Sequence, residues 1–461
     1  MTLITMSRYR TTNPATGELL QTFPTLTDEE LEQRVRAAVE AYRSWRTTTP
    51  EERAAILARA AELYEERAEH LAQTITREMG KPITAARGEI KTVTGIFQYY
   101  ATEGPAALLP EPIEVRGTGS AYIRREPLGV LLGVMPWNFP HYQVARFVAP
   151  SLLVGNAVML KHASNCAASA LEIEQLLHDA GVPEGVYTNL FADHQHVEAL
   201  VADDRIQGVS LTGSDAVGAR IGRVAGENVK KAVLELGGSD PFVVLDDADV
   251  EKAAAGAVQG RLVNGGQTCT SSKRIIVVDA IYDRFMEHFL EKMGAVAFGD
   301  PLHEDTLVGP LSSASAVEEV DELVRDAVDK GAEVLLGGKP RAGEGAYYEP
   351  TVLTGVGREA RAFSEEIFGP VAVVYRAGDE QQAIDMANDS PYGLSSSVYS
   401  EDPNHAQRVG AELETGMVWV NSTSKSSAEL PFGGVKKSGF GRELGRLGLE
   451  EFANRKLIRI P

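Results

Sequence analysis

The chain has 461 residues, 43% hydrophobic and 24% charged, the proportions of a globular protein with room for two or three domains. A formal net charge of −20 argues against a nucleic-acid or anionic-membrane surface, and it means that an anionic substrate needs a local positive group. Two cysteines exclude a disulfide framework, and neither they nor the histidine spacing offers a metal site, so a reducing compartment and no metal are expected.

From the start, Met1 to Arg10 lacks the apolar core of a signal peptide. Thr27 to Trp45 reads as an amphipathic helix with a Thr27/Glu30 capping box and Leu31, Val35, Ala38 and Tyr42 on one face. Thr49-Pro50-Glu51-Glu52 opens a second helix with Ile56, Ala60 and Leu63 apolar. Leu109 to Arg125 is rich in Pro, Gly and β-favouring residues, and reads either as a hairpin that pairs with another subunit or as a surface loop. The apolar run Val144 to Leu160 is broken by Arg146, Pro150, Gly155 and Asn156 and is no membrane span, so the protein is placed in the cytoplasm.

From Leu128 strands and helices alternate. The expected strands are Val130–Met135, Ala157–Leu160, Val186–Phe191, Gly208–Leu211 and Ala232–Leu236, with a helix near Ala168–Ala180. That rhythm implies βαβ units and a parallel sheet. After Gly238 a second α/β series follows: Phe242–Leu245, Arg274–Val278, Val334–Leu336, Val371–Tyr375 and Val418–Val420. The final stretch, Glu450 to Pro461, is a candidate to pair with the earlier hairpin.

Three stretches carry candidate chemistry. In Asn264-Gly265-Gly266-Gln267-Thr268-Cys269-Thr270 two glycines allow a tight backbone approach, so Cys269 can face a ligand, whereas an isolated cysteine is more commonly an inert small hydrophobe. Cys166 fits that inert description. Asn138 is held between Pro136 and Pro140, and is either an oxyanion donor or a buried amide that satisfies loop carbonyls. Glu235 ends an apolar strand, where burial would raise its pKa and suit a general base, or where it could sit in solvent. Thr212-Gly213-Ser214 precedes a helix N-terminus suited to a pyrophosphate, and Lys161 at another strand end could reach a ribose hydroxyl or phosphate.

Together with Glu365-Glu366-Ile367-Phe368-Gly369-Pro370 and Pro431-Phe432-Gly433-Gly434, these motifs resemble the aldehyde dehydrogenase superfamily over essentially the whole chain. The resemblance implies an α/β fold with a Rossmann-type cofactor domain (1–108 and 128–236), an α/β catalytic domain (237–434) and a small β oligomerisation element (109–127 and 447–461). It implies NAD(P)+-dependent oxidation of an aldehyde in a homodimer or homotetramer. Cys269 would attack the carbonyl carbon, Asn138 and the Cys269 N–H would hold the oxyanion, and Glu235 would activate water on the thioester. Pro136, Trp137, Lys161, Ser164, Gly213, Ser214, Val217, Leu236, Glu366 and Phe368 would bind the cofactor.

Within the superfamily the chain is most similar to bacterial succinate-semialdehyde dehydrogenases, through Lys161-His162-Ala163, Gly237-Gly238-Ser239-Asp240-Pro241-Phe242 and Lys436 to Glu443. By that resemblance Arg146 and Ser426, with Trp137, would bind the substrate. Some members carry a second arginine six residues before the nucleophile. Here that position is Val263, and nearby Arg261 need not point the same way. Ser164 replaces a glutamate common in NAD-preferring relatives, so NADP+ is expected to be accepted, with NAD+ usable. Three alternatives stand beside this reading: transfer of the thioester to CoA, oxidation of other short aliphatic or aromatic aldehydes, and a non-catalytic binding relative.

Overall fold

A computed structural model describes residues 9–461, so most of the Met1–Arg10 segment lies outside the described residues. Helices Asp28–Trp45 and Pro50–Glu66 form where their capping signals place them. Thr27 and Thr49 each accept from the N–H three residues on, and Glu30 and Glu52 reach back to complete the boxes. Leu31, Val35 and Ala38 are buried in line, and Tyr42 is half-buried. Two further helices, absent from the sequence reading, pack against Pro50–Glu66 and its neighbours: Ala68–Met79 and Ile83–Ala107.

The first sheet has the strand order Gly439–Phe440, Lys231–Glu235, Ile206–Thr212, Val130–Met135, Ala157–His162, Tyr187–Asn189. Its pairings are parallel except the first. Each strand expected from the alternation is present, although Tyr187–Asn189 is shorter than Val186–Phe191. The chain walks outward from Val130–Met135, then returns to its other side with Ile206–Thr212. The crevice beyond the carboxyl ends of those two strands is thus a topological switch point, where doubly wound sheets bind ligands. Gly439–Phe440 arrives from beyond residue 434 and pairs Gly439 with Glu235. Gly439 has φ +109°, and a Cβ there would lie 1.9 Å from the Leu234 carbonyl oxygen, so only glycine allows this approach.

The second sheet is ordered Glu333–Leu336, Thr351–Thr354, Val371–Ala377, Ser272–Val278, Asp240–Val244, Ser395–Tyr399, Met417–Val420, parallel after its first pair. Thr351–Thr354 and Ser395–Tyr399 were not anticipated. The second opens with three serines that read as polar but are buried, with Ser395 donating to Asp240 at 2.6 Å.

A third sheet joins Glu111–Ile113, Ser120–Pro127 and Ala453–Ile460, so the hairpin does pair with the C-terminal segment, Ser120 opposite Ile460 and Pro127 opposite Ala453. The Val144–Leu160 run divides into helix Tyr142–Val154 and strand Ala157–His162. No helix among the described residues is long and apolar enough to cross a membrane.

Candidate active site

Helix Val250–Leu262 ends just before the cysteine loop, and strand Ser272–Val278 begins just after it. Between them Asn264, Gly265 and Gly266 run left-handed in succession, with φ +54°, +64° and +76°. A Cβ on Gly266 would lie 2.1 Å from the Gly369 carbonyl oxygen, so the second glycine serves contact as well as conformation. The loop is tied down by side chains. Asn264 Nδ2 donates to the Asn138 carbonyl at 2.9 Å, and Lys273 Nζ donates to the carbonyls of Thr268 and Cys269 at 3.0 and 2.8 Å. Cys269 emerges half-buried onto a cavity of about 410 Å³ whose wall includes Phe139, Tyr142, Gln143, Arg146, Ser426 and Phe432. Burial pushes its thiol up to about 12, opposed by the charges of Arg146 and Lys273.

Asn138 is buried next to this loop. Its Oδ1 accepts from Gln143 Nε2 at 2.9 Å, and its Nδ2 donates to the Gln267 carbonyl at 3.0 Å. An amide nitrogen carries two N–H donors, so Asn138 braces the cysteine loop with one and keeps the other.

Glu235 ends strand Lys231–Glu235 and is buried, and neither carboxyl oxygen has a hydrogen-bond partner among the described residues. It does not line the cavity. Its Oε1 faces Gly433, one layer behind Arg146 and Phe432, which do. Burial, and then the neighbouring Glu443, raise its pKa well above the carboxylate range, while Arg146 and Arg442 oppose them.

Arg146 projects from helix Tyr142–Val154 and lies between two rings, its Cζ 4.2 Å from the Phe432 centroid and 4.8 Å from that of Tyr142. Its Nε stands 2.7 Å from Glu443 Oε2, off the hydrogen-bonding direction. The arginine expected to serve a substrate carboxylate therefore already has an ionic partner on its inner side. Ser426 is exposed on the cavity wall, and its Oγ accepts from the Tyr142 hydroxyl at 2.5 Å. Arg261 points elsewhere: it donates to the carbonyls of Val371 and Ile367 at 2.6 and 2.9 Å and to Ser271 at 2.5 Å. Val263 lines the cavity.

The remaining expected residues gather at the switch point and on the path from it to Cys269. A second cavity, about 230 Å³, is lined by Met135, Pro136, Lys161, Thr212 and Val217 among others. Ser214 caps helix Asp215–Glu227, and the Gly213 N–H donates to the Glu235 carbonyl at 3.1 Å. Leu236 lies under Gly218 of the same helix. Ser164 follows Ala163, which lines the cavity, without lining it itself. Toward Cys269, Trp137 meets Phe368 edge-on at 5.7 Å, and Glu366 accepts from the Gly238 N–H at 3.2 Å and pairs with Lys273 at 2.9 Å.

Pro136-Trp137-Asn138-Phe139 thus runs from the switch-point crevice, which Pro136 lines, to the cavity of Cys269, which Phe139 lines. Residues 4–458 match the Aldehyde dehydrogenase family. The chain belongs to the aldehyde dehydrogenase family. As an aldehyde dehydrogenase it is an NAD(P)-dependent oxidoreductase. It is 51% identical over 451 residues to the NADP(+) succinate-semialdehyde dehydrogenase of Deinococcus radiodurans, covering 98% of this chain and 94% of the relative. It is 44% identical over 454 residues to the NAD(P)+ succinate semialdehyde dehydrogenase of Escherichia coli K12, covering 98% of each. Among solved structures it resembles the succinic semialdehyde dehydrogenase of Streptococcus pyogenes in complex with NADP+, with a TM-score of 0.96, 43% identity and coverage of 98% and 100%.

Several residues of this aldehyde dehydrogenase site escaped the sequence reading. Lys273 opens an apolar strand, and a charge there was the available signal. Glu443 lay inside a motif quoted only for resemblance. Its burial against Ser210 and Arg146, 233 and 297 positions away, has no local signature.

Proposed function

We propose that the protein oxidises succinate semialdehyde to succinate, with NADP+ preferred and NAD+ usable. The observation that carries the substrate reading is that the cavity holding the Cys269 thiol also presents Arg146 and the hydroxyl of Ser426. A guanidinium and a hydroxyl suit a carboxylate at the far end of a short aldehyde. The names of the Deinococcus and Escherichia relatives support the same substrate, and the NADP+ complex of the Streptococcus protein supports the cofactor.

The residues fit a nicotinamide dinucleotide. The switch-point crevice is walled largely by apolar residues, with Lys161, His194 and a Glu198–Arg220 ion pair also in its lining, and Val217 brings the first turn of helix Asp215–Glu227 to it. Lys161 and Ser164 would hold the ribose and its 2′-phosphate. Ser164, short and neutral, repels no phosphate. Glu366 would hold the nicotinamide ribose, with Trp137, Leu236 and Phe368 packed around the ring. When bound, the cofactor supplies the two-electron acceptor.

In the proposed reaction Cys269 gives up its thiol proton to water, its Sγ adds to the aldehyde carbon, and the second Asn138 N–H and the Cys269 backbone N–H receive the oxyanion. Oxidation of that thiohemiacetal leaves a thioester on Cys269. Glu235, a strong base once ionised, would turn from its place behind Phe432 into the cavity and take a proton from the water that attacks the thioester. Succinate departs and the thiol is restored. Glu235 favours water over CoA as acceptor, and the presence of all three catalytic candidates weighs against a non-catalytic relative. The division into 1–108 with 128–236, 237–434 and 109–127 with 447–461 belongs to the same proposal. So does a homodimer or homotetramer built through the third sheet, where Leu457 and Ile460 are exposed, and so does a cytoplasmic location.

The test is NAD(P)H formation with succinate semialdehyde and with butanal, using each cofactor, with and without CoA. The expected result is a large kcat/KM advantage for the semialdehyde with NADP+ and no CoA requirement. Equal use of butanal would overturn the substrate reading, and a hundredfold advantage for NAD+ would overturn the cofactor reading.

A further inference from the structure

The substrate cavity contains four charged side chains, Lys81, Glu89, Arg146 and Lys425. Two of the three cations are already engaged. Lys81 is fully buried, pairs with Glu89 and lies 3.7 Å from the Phe139 ring centroid. Glu89 in turn accepts from the N–H groups of His141 and Tyr142, so this pair fastens the helix that carries Arg146. Arg146 has Glu443 against its Nε. Arg261 is turned away, and position 263 carries valine. Lys425 remains. It is exposed, borders the cavity between Ser424 and Ser426, and forms no ion pair among the described residues.

An anionic substrate entering a protein of formal charge −20 needs a net positive field at the mouth of the site. With Lys81 balanced by Glu89 and Arg146 shared with Glu443, that field comes from position 425. We infer that Lys425 is a specificity-determining residue, whose ammonium recruits and pairs with the distal carboxylate of the substrate beside Ser426. It shares the cavity wall with position 263, which carries valine. This rests on the semialdehyde reading and goes beyond it by locating the uncompensated charge.

The experiment compares wild type, Lys425→Met and Lys425→Glu with succinate semialdehyde and with butanal, which has the same chain length and no carboxylate. Lys425→Met is expected to raise KM for the semialdehyde about three- to tenfold, the scale of a partly exposed charge contact, with kcat nearly unchanged and butanal unaffected. Lys425→Glu should raise it further. The difference from wild type should shrink as salt rises from about 0.01 M to about 1 M and the Debye length falls from ~30 to ~3 Å. Adding Val263→Arg to Lys425→Met should restore the low KM. An unchanged semialdehyde KM in both single variants, or an equal rise for butanal, would overturn the inference. Failure of the substrate reading looks different: wild type itself would then use butanal as well as the semialdehyde.

Discussion

The chain buries two thiol neighbourhoods, each with a glutamate, and they differ in how fully their polar groups are satisfied. Around Cys166, Glu78 accepts from the N–H groups of Ala168 and Ser169 at 2.8 and 3.0 Å and from the Ser169 hydroxyl at 2.7 Å. Cys166 itself is fully buried, and burial together with Glu78 and Glu89 holds its thiol far above its ordinary pKa. Around Cys269 the thiol reaches a cavity, two cations oppose its burial, and Glu235 has no hydrogen-bond donor on either oxygen among the described residues. A buried carboxyl with a full set of donors is structural. One left without donors has bonding capacity that a water or substrate can take up.

The largest effects separate the two thiols. Cys269→Ala should abolish NADPH formation, by at least about a thousandfold, because no other group can form the thioester. Cys166→Ala should leave turnover per folded molecule within about twofold and act only through its lost packing. Steady-state assays of both variants check this, and comparable losses would erase the distinction.

The two glutamates should separate in the opposite sense. Glu235→Gln is expected to lower kcat about a hundredfold or more, the scale of a lost general base, with the acyl-enzyme accumulating and visible by intact mass. Its stability should be little changed, since an unpartnered buried amide replaces an unpartnered buried carboxyl of the same shape. Glu78→Ala should leave kcat nearly intact and cost about 3–5 kcal/mol in urea unfolding, because two N–H groups at the start of helix Ala167–Asp179 lose their acceptor.

These contrasts mark where local sequence is informative. The strand that ends at Glu235, the tight turn before Cys269 and the strand after it were legible because glycines and apolar runs act on neighbours in the chain. The Cys166 assignment also needed only local text. The arginines were harder. Arg146 and Arg261 are both buried close to the site, and their roles differ because one meets Glu443 and aromatic rings and the other meets backbone carbonyls. Apart from Tyr142, one turn away on the same helix, those partners come from segments more than a hundred residues away, so no window of sequence contains the answer. The Ser395–Tyr399 strand was missed for a related reason: its serines are buried in a sheet whose partner strand supplies Asp240 as acceptor.

The smallest effect concerns Glu78 and pH. Burial, only partly offset by its donors, holds its folded-state pKa at about 7, against 4.5 for the ordinary side chain. Between those values the native state binds more protons than the unfolded state, so stability falls as pH rises. The favourable contribution is complete below about pH 4.5 and lost above about pH 7, and the linked change is on the order of 3 kcal/mol. Glu78→Gln keeps an acceptor oxygen for the helix N–H groups but cannot titrate. Its thermal midpoint should therefore change less than that of wild type between about pH 5 and pH 8, with the variant gaining on wild type toward the alkaline end. Parallel curves for the two proteins would show that the donors, and not burial, set the state of this carboxyl. The satisfied glutamate would then differ from Glu235 in charge as well as in bonding.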